Sequence, residues 1–332
     1  MLTHPSRALF MSTLVLGALI AISSPSWFTA WIGLELNLLS FIPILSSKLN
    51  MYAAEAALKY FLIQALGSAV ILASSPVLLL FDSSPNLLIS MALLLKMGAA
   101  PLHLWFPSVM QGIGWMQCIT LMTIQKIAPM LLLSYHVGSP ITEMVFLSSI
   151  LSGLVGSVGG LNQTLLRKIM AYSSINHMAW MLAAVYFNTL LWTNYFLIYG
   201  IVSSSVIFIL YQNQIFHFNQ TLSFSHQSPL LKLTMLFCLL SLGGVPPFLG
   251  FLPKMMVIKH LANGGGFIWL TMLLSSALIT LFYYLRIIMT SLTLTTPKMK
   301  VSLSPTPLSM LATISFINLT PLTTPMSTFL PF

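Results

Sequence analysis

The chain has 332 residues, 57% hydrophobic and 5% charged, with a formal net charge of +9 and a mean hydropathy of +0.94. A water-soluble domain of this size would lack the polar side chains to cover its surface, so the composition excludes a soluble enzyme and indicates an integral membrane protein. Lipid offers no partner to an open backbone amide, and the apolar runs far exceed the length of barrel strands, so the spans are predicted to be helices.

Apolar runs separated by polar or Pro/Gly-rich breaks predict eleven spans, near 8–24, 26–45, 52–75, 86–104, 113–136, 142–161, 165–186, 190–212, 229–262, 266–290 and 305–327. The opening MLTHPSRALFMSTLVLGALIAIS has the basic-then-apolar order of a secretory signal, but the similar segments after it make it read as a retained first span. The second span, with WIGLELNLLSFIPIL, carries the carboxylate Glu35 in its middle. The third begins EAALKYFLIQALGSA and holds Glu55 and Lys59 one helical turn apart, close enough to pair.

In the fourth span Pro101 follows Lys96 by five residues, and in the fifth Pro129 follows Lys126 by three. A proline inside a helix removes one hydrogen bond and clashes with the carbonyl four residues back, so the carbonyls of Met97 and Gln125 are expected to be freed. The seventh span holds His177 beside Ser173, Ser174 and Asn176. The ninth is too long for one straight crossing and contains GGVPPFLGFLPK, which predicts a second broken helix, with Lys254 beside it. The longest polar connection, QNQIFHFNQTLSFSHQS, is only a loop. A single transmembrane domain over 1–332 is therefore expected, with a core at about 8–290 and a C-terminal span at about 305–327.

The positive-inside rule tests this order of crossings. Loops and helix ends on the N-terminal side hold Arg7, Lys48, Arg167, Lys168, Lys232, Arg286, Lys298 and Lys300, whereas the opposite side holds Asp82, Glu143 and Lys259. The N-terminus is thus predicted on the cytoplasmic side or its organelle equivalent, and an odd number of spans places the C-terminus opposite. No basic cluster exceeds Arg167-Lys168, so the positive charge is explained by topology and no nucleic-acid partner is expected.

Glu35, Glu55, Lys59, Lys96, Lys126 and Lys254 remain within or near the spans. A charge at a helix centre costs roughly 2.5–3.5 kcal/mol on insertion scales, so such groups should face the protein interior, water or one another. A buried lysine suits proton work because desolvation favours its neutral form and a nearby carboxylate favours the charged one, so moving one partner switches the proton. Glu35 is the candidate counter-charge, and Lys59 and Lys96 are its candidate partners. His177 adds a group that titrates near neutrality. Cys118 and Cys238 have neither metal nor disulfide spacing and read as core filler, and neither a phosphate loop nor a dinucleotide fingerprint is present, so no bound cofactor is expected.

WIGLELNLLSFIPIL, EAALKYFLIQALGSA, KMGAAPLHLWFPSV, TIQKIAP, AYSSINHMAW and PPFLGFLPK, in this order, resemble the antiporter-like membrane subunits of mitochondrial NADH:ubiquinone oxidoreductase, respiratory complex I, in a shortened animal form. The resemblance runs from about residue 10 to 290 and carries no motif beyond. It implies an all-α fold with two inverted repeats and two broken helices, in the mitochondrial inner membrane with the N-terminus in the matrix and the C-terminus in the intermembrane space. It implies redox-driven proton translocation through Glu35, the paired Lys59 and Lys96, the central Lys126, His177 and the terminal Lys254. NADH, flavin, iron-sulfur clusters and ubiquinone would be held by other subunits, and the partners would be membrane-arm and accessory subunits, lipids, protons and internal water. An independent cation/proton antiporter and a non-conducting scaffold of the complex are the alternatives; four acids in the whole chain make a metal-cation pathway poorly supported.

Overall fold

The computed structural model describes residues 5–46, 50–77, 84–136, 141–221, 229–293 and 308–323. Lys48, Asp82, Lys298 and Lys300, which enter the charge bias, lie outside them. The described residues form fourteen α-helices: α1 (Pro5–Ser23), α2 (Trp27–Leu45), α3 (Met51–Val77), α4 (Ser84–Met97), α5 (Trp105–Gly112), α6 (Trp115–Met122), α7 (Ile124–His136), α8 (Ile141–Leu161), α9 (Leu166–Phe187), α10 (Thr189–Gln212), α11 (Pro229–Gly243), α12 (Phe251–Asn263), α13 (Phe267–Thr293) and α14 (Leu308–Thr323). Seven helical stretches among them are long and apolar enough to cross a membrane. The fold is that of an all-helical, polytopic membrane protein, and it divides into two compact units, Met1–Ser152 and Gly153–Phe332.

In the first unit, α1 and α2 approach so closely that a Cβ on Gly33 would stand 2.5 Å from the Ala21 nitrogen, and one on Gly17 would stand 2.8 Å from the Asn37 nitrogen. Small residues permit such backbone contact where lipid supplies no hydrophobic drive between helices. On α3 the buried residues Tyr60, Gln64 and Ser68 recur every fourth position and form one polar stripe facing the interior. Glu55 and Lys59 lie on an exposed face of the same helix.

Two helices end inside the protein by the same device. At Gly98, φ is +73°, the Gly98 N–H donates to the Leu95 carbonyl (3.1 Å) and the Ala99 N–H to the Leu94 carbonyl (3.1 Å). At Gly244, φ is +72°, with Gly244 N–H to Ser241 O (3.0 Å) and Val245 N–H to Leu240 O (3.3 Å). Both are Schellman motifs, whose left-handed residue glycine adopts without a Cβ penalty. Helix resumes seven residues after each glycine, at Trp105 and Phe251, and a proline follows two residues later in both, Pro107 and Pro253.

This changes the expected part of Pro101. Because α4 already stops at Met97, Pro101 lies outside the helix, and glycine rather than proline makes the break. Pro129 lies inside α7 as anticipated, so the Gln125 carbonyl loses its helical donor. A further interruption at Thr123 (φ −111°, ψ −79°) separates α6 from α7. The Thr123 hydroxyl donates to the Ile119 carbonyl at 2.7 Å, a side-chain bond that competes with the helical ladder.

The C-terminal helix α14 belongs to the architecture of the second break. The Leu249 N–H donates to the Asn318 carbonyl (3.1 Å), and the Ser241 hydroxyl donates to Asn318 Oδ1 (2.7 Å). One residue of α14 thus holds both sides of the interruption between α11 and α12.

Candidate functional site

Among the described residues three lysines sit in the interior: Lys96 is 6% exposed, Lys126 2% and Lys254 5%. Interior burial to this degree is unusual for an ammonium, and each of the three has electron-rich neighbours.

Lys96 occupies the last turn of α4 and exchanges bonds with one residue of α3. Its Nζ donates to the Gln64 carbonyl at 3.4 Å, while Gln64 Nε2 donates to the Lys96 carbonyl at 3.2 Å. The adjacent terminal carbonyl, Leu95, accepts from the indole N–H of Trp105 at 3.0 Å. The helix end is thereby satisfied from two directions, as a buried terminus requires. Glu35, half-buried on α2, lies within electrostatic range of both Lys96 and the Tyr60 hydroxyl. Tyr60 donates to Gln125 Oε1 at 3.1 Å, which joins the stripe on α3 to the residue preceding Lys126.

Lys126 Nζ stands 4.7 Å from the centroid of the Phe106 ring. A cation over an aromatic face gains electrostatic stabilisation that grows as water is removed. The break after α4 therefore serves two lysines: Trp105 caps the helix carrying Lys96, and Phe106 receives Lys126.

Lys59 is placed differently. Its Nζ lies 2.6 Å from Glu55 Oε1, and the two side chains are 48% and 59% exposed. The structure gives Lys59 its carboxylate on its own helix.

In the second unit, Lys254 Nζ donates to the Gly243 carbonyl at 2.8 Å and faces the Trp180 ring, 5.8 Å from its centroid. Gly243 is the last residue of α11, so the ammonium meets the negative end of a helix dipole. Gly244 makes room for it: a Cβ there would stand 2.7 Å from Lys254 Cδ and 2.8 Å from Nζ.

His177 is buried on α9, with Nδ1 3.0 Å from the Tyr195 hydroxyl and its ring 5.0 Å from that of Tyr199. The polar residues around it are partly absorbed by structure. Ser173 and Ser174 donate to the carbonyls of Met170 and Ala171 (2.8 Å each), and Asn176 Oδ1 accepts from Ser276 on α13 at 3.0 Å.

Gln64, Tyr60, Trp105 and Asn318 are site-forming residues that the sequence reading did not single out. For Tyr60 and Gln64 the signal exists, since polar residues spaced four apart in an apolar helix mark its interior face. Asn318 has no such pattern, being one of several polar residues scattered along a threonine- and serine-rich helix.

The family described as NADH:quinone oxidoreductase/Mrp antiporter, transmembrane, matches residues 24–87 and 83–280. The chain is 47% identical over 291 residues to NADH-ubiquinone oxidoreductase chain 2 of Anopheles gambiae, covering 85% of this chain and 84% of that one. It is 46% identical over 290 residues to the protein of the same name from Aedes aegypti, with the same shares covered. Among solved structures it resembles a chain of respiratory complex I from Thermus thermophilus, in a complex with bound aureothin, at a TM-score of 0.86 and 25% identity over 96% of this chain and 78% of that one. The chain belongs to the antiporter-like NADH:quinone oxidoreductase membrane family, in its NADH-ubiquinone oxidoreductase chain 2 branch.

Proposed function

We propose that this chain is a proton-translocating subunit in the membrane arm of NADH:ubiquinone oxidoreductase, driven by redox chemistry in other subunits. The observation that carries the reading is the burial of three lysine ammoniums, Lys96, Lys126 and Lys254, in a chain of four acids. An ammonium kept dry loses part of its preference for the proton, and a movable anion such as Glu35 restores it. Glu35, Lys59, Lys96 and Lys126 in the first unit, and His177 and Lys254 in the second, are the groups that take up and release protons. The reaction is proton transfer through side chains and internal water, with no covalent intermediate.

Eleven spans in one transmembrane domain follow if α4 with α5, α6 with α7 and α11 with α12 each count as one interrupted crossing. The matching device at Gly98 and Gly244 supports two inverted repeats. The chain binds no redox cofactor of its own in this reading; NADH, flavin, iron-sulfur clusters and ubiquinone belong to its partner subunits. Its place is the mitochondrial inner membrane, N-terminus in the matrix and C-terminus in the intermembrane space, among membrane-arm subunits and lipids.

The test is Lys126→Met in the assembled complex, reconstituted in vesicles, with proton uptake measured per NADH oxidised. A lowered ratio with the complex intact is expected. A wild-type ratio would leave the chain a structural scaffold.

A further inference from the structure

Asn318 is a buried amide on α14 that bonds to both sides of the second interruption. On the α11 side its Oδ1 accepts from the Ser241 hydroxyl at 2.7 Å, and its Nδ2 reaches Cys238 Sγ at 3.3 Å while also donating to the Ile314 carbonyl of its own helix at 2.8 Å. On the far side its main-chain carbonyl accepts from the Leu249 N–H at 3.1 Å. Ser241 is itself the meeting point of the break. Its carbonyl accepts the Gly244 N–H at 3.0 Å, and the Gly250 backbone lies so close that a Cβ there would overlap that carbonyl. Two residues beyond Ser241 is Gly243, whose carbonyl meets the Lys254 ammonium at 2.8 Å.

Packing of α14 does not call for this residue. An amide taken out of water must recover its lost hydration through hydrogen bonds, whereas leucine, of similar size, would fill the same place with no such requirement. Thr313 and Ser315, on the same helix, spend their hydroxyls on the carbonyls of Met310 and Ala312 one turn back, at 2.9 and 2.8 Å, but the Asn318 side chain reaches across to α11. The contact framed by these bonds tolerates little displacement. N–H···O bonds fall within about 2.7–3.2 Å, so a shift of α11 against α12 by about half an ångström takes the Lys254 ammonium out of reach of the Gly243 carbonyl. The family match stops at residue 280, so this hold on the break comes from a part of the chain that the match does not reach.

We propose that Asn318 is a positioning residue for the translocating site: by bonding Ser241 and Leu249 at once, it fixes the separation of α11 and α12 at which the Gly243 carbonyl meets the Lys254 ammonium. The inference rests on the proton-translocating reading of the chain. Asn318 neither gives nor takes a proton in this role. It acts through Ser241, whose place in the last turn of α11 determines where the following carbonyls point, and through Leu249, two residues before α12 resumes. The C-terminal helix α14 is then a working part of the second interruption, holding from outside a backbone that glycine leaves free to bend.

The experiment uses Asn318→Leu, Asn318→Asp, Ser241→Ala and the pair Asn318→Leu with Ser241→Ala in the assembled complex, reconstituted in vesicles, with Lys254→Met and the α14 control Ser315→Ala alongside. Protons moved per NADH oxidised are the readout. Asn318→Leu is expected to lower the ratio, and Asn318→Asp, which has the same shape and keeps an acceptor for Ser241, to recover it. The double substitution should be no worse than Asn318→Leu, because both changes cut one bond, and Ser315→Ala should match the unaltered complex. If Lys254→Met lowers the ratio while Asn318→Leu leaves it unchanged, or if Asn318→Asp is no better than Asn318→Leu, the positioning role is overturned and the translocation reading stands. If Lys254→Met also leaves the ratio unchanged, both fall. Should the Asn318 variants fail to assemble, hydrogen–deuterium exchange of the unaltered complex decides: protection of the Leu249 amide that persists during turnover supports the hold, and free exchange there overturns it.

Discussion

The ammonium of Lys254 lies 2.8 Å from the carbonyl oxygen of Gly243, so a side chain of α12 caps the end of α11 across the break that separates them. Lys96 has no such counterpart at its own break. Aligning Gly98 with Gly244 puts Lys96 opposite Leu242 and Lys254 opposite Ser108, each pair at the same offset from its glycine. The two interruptions share a backbone but present their cations from opposite sides of it.

Gly244→Ala tests how tightly that cap is built. The new Cβ would meet the Lys254 side chain at 2.7–2.9 Å and would force alanine into φ +72°. A left-handed non-glycine residue costs about 1–2 kcal/mol. Thermal denaturation of the purified complex is expected to fall accordingly, and pumping per NADH to fall with it, because the ammonium is displaced from Gly243.

Phe106→Leu removes the aromatic face beneath Lys126 while keeping an apolar side chain. The loss of a largely desolvated cation–π contact is expected to cost about 1–2 kcal/mol. The same denaturation measurement reads it, and Phe106→Tyr, which keeps the face, should recover most of the difference.

Glu35 and Glu55, both in the first unit, should separate cleanly. Glu55→Gln takes from Lys59 the carboxylate on its own helix, and a loss of pumping smaller than that from Glu35→Gln is expected. Glu35→Gln removes the proposed counter-charge of the buried lysines, and proton movement per NADH is expected to be lost with the complex still assembled. Vesicle pumping assays on the two variants side by side make the comparison.

Asn318→Leu should loosen the second break from a distance. The Leu249 bond goes to the main chain of residue 318 and survives, but the Ser241 hydroxyl loses its acceptor on the side chain. The Ser241 hydroxyl still has the Cys238 carbonyl at 2.7 Å, so a destabilisation of about 0.5–1.5 kcal/mol is expected from the lost hydrogen bond. Limited proteolysis within 244–250, compared with the unaltered complex, is the direct measurement.

The helices were legible because lipid leaves the sequence little freedom: a span must be long and apolar, and its charges stand out against that background. Lys96, Lys126 and Lys254 could be picked out for this reason, and the second interruption could be placed from GGVPPFLGFLPK, whereas the first was assigned to Pro101 rather than to Gly98. What could not be read was which element meets which. Trp105 bonding to Leu95, and Gln64 exchanging bonds with Lys96, depend on how α3, α4 and α5 pack, and no local pattern encodes that. The interruption at Thr123 escaped because a single threonine in a helix usually bends it only slightly. The matched spacing of Gly98, Trp105 and Pro107 with Gly244, Phe251 and Pro253 was in plain view as a sequence relation.

The contact of α1 with α2 bears on how Glu35 can act. With Gly17 and Gly33 bringing the two backbones together, α2 has no slack in which to slide or rotate about its axis without collision against Ala21. On the α2 side, a change in the distance between Glu35 and a cation is then left to torsions of the Glu35 side chain. Under the proposed mechanism such a torsional switch would be small in displacement and faster than the shift of a helix.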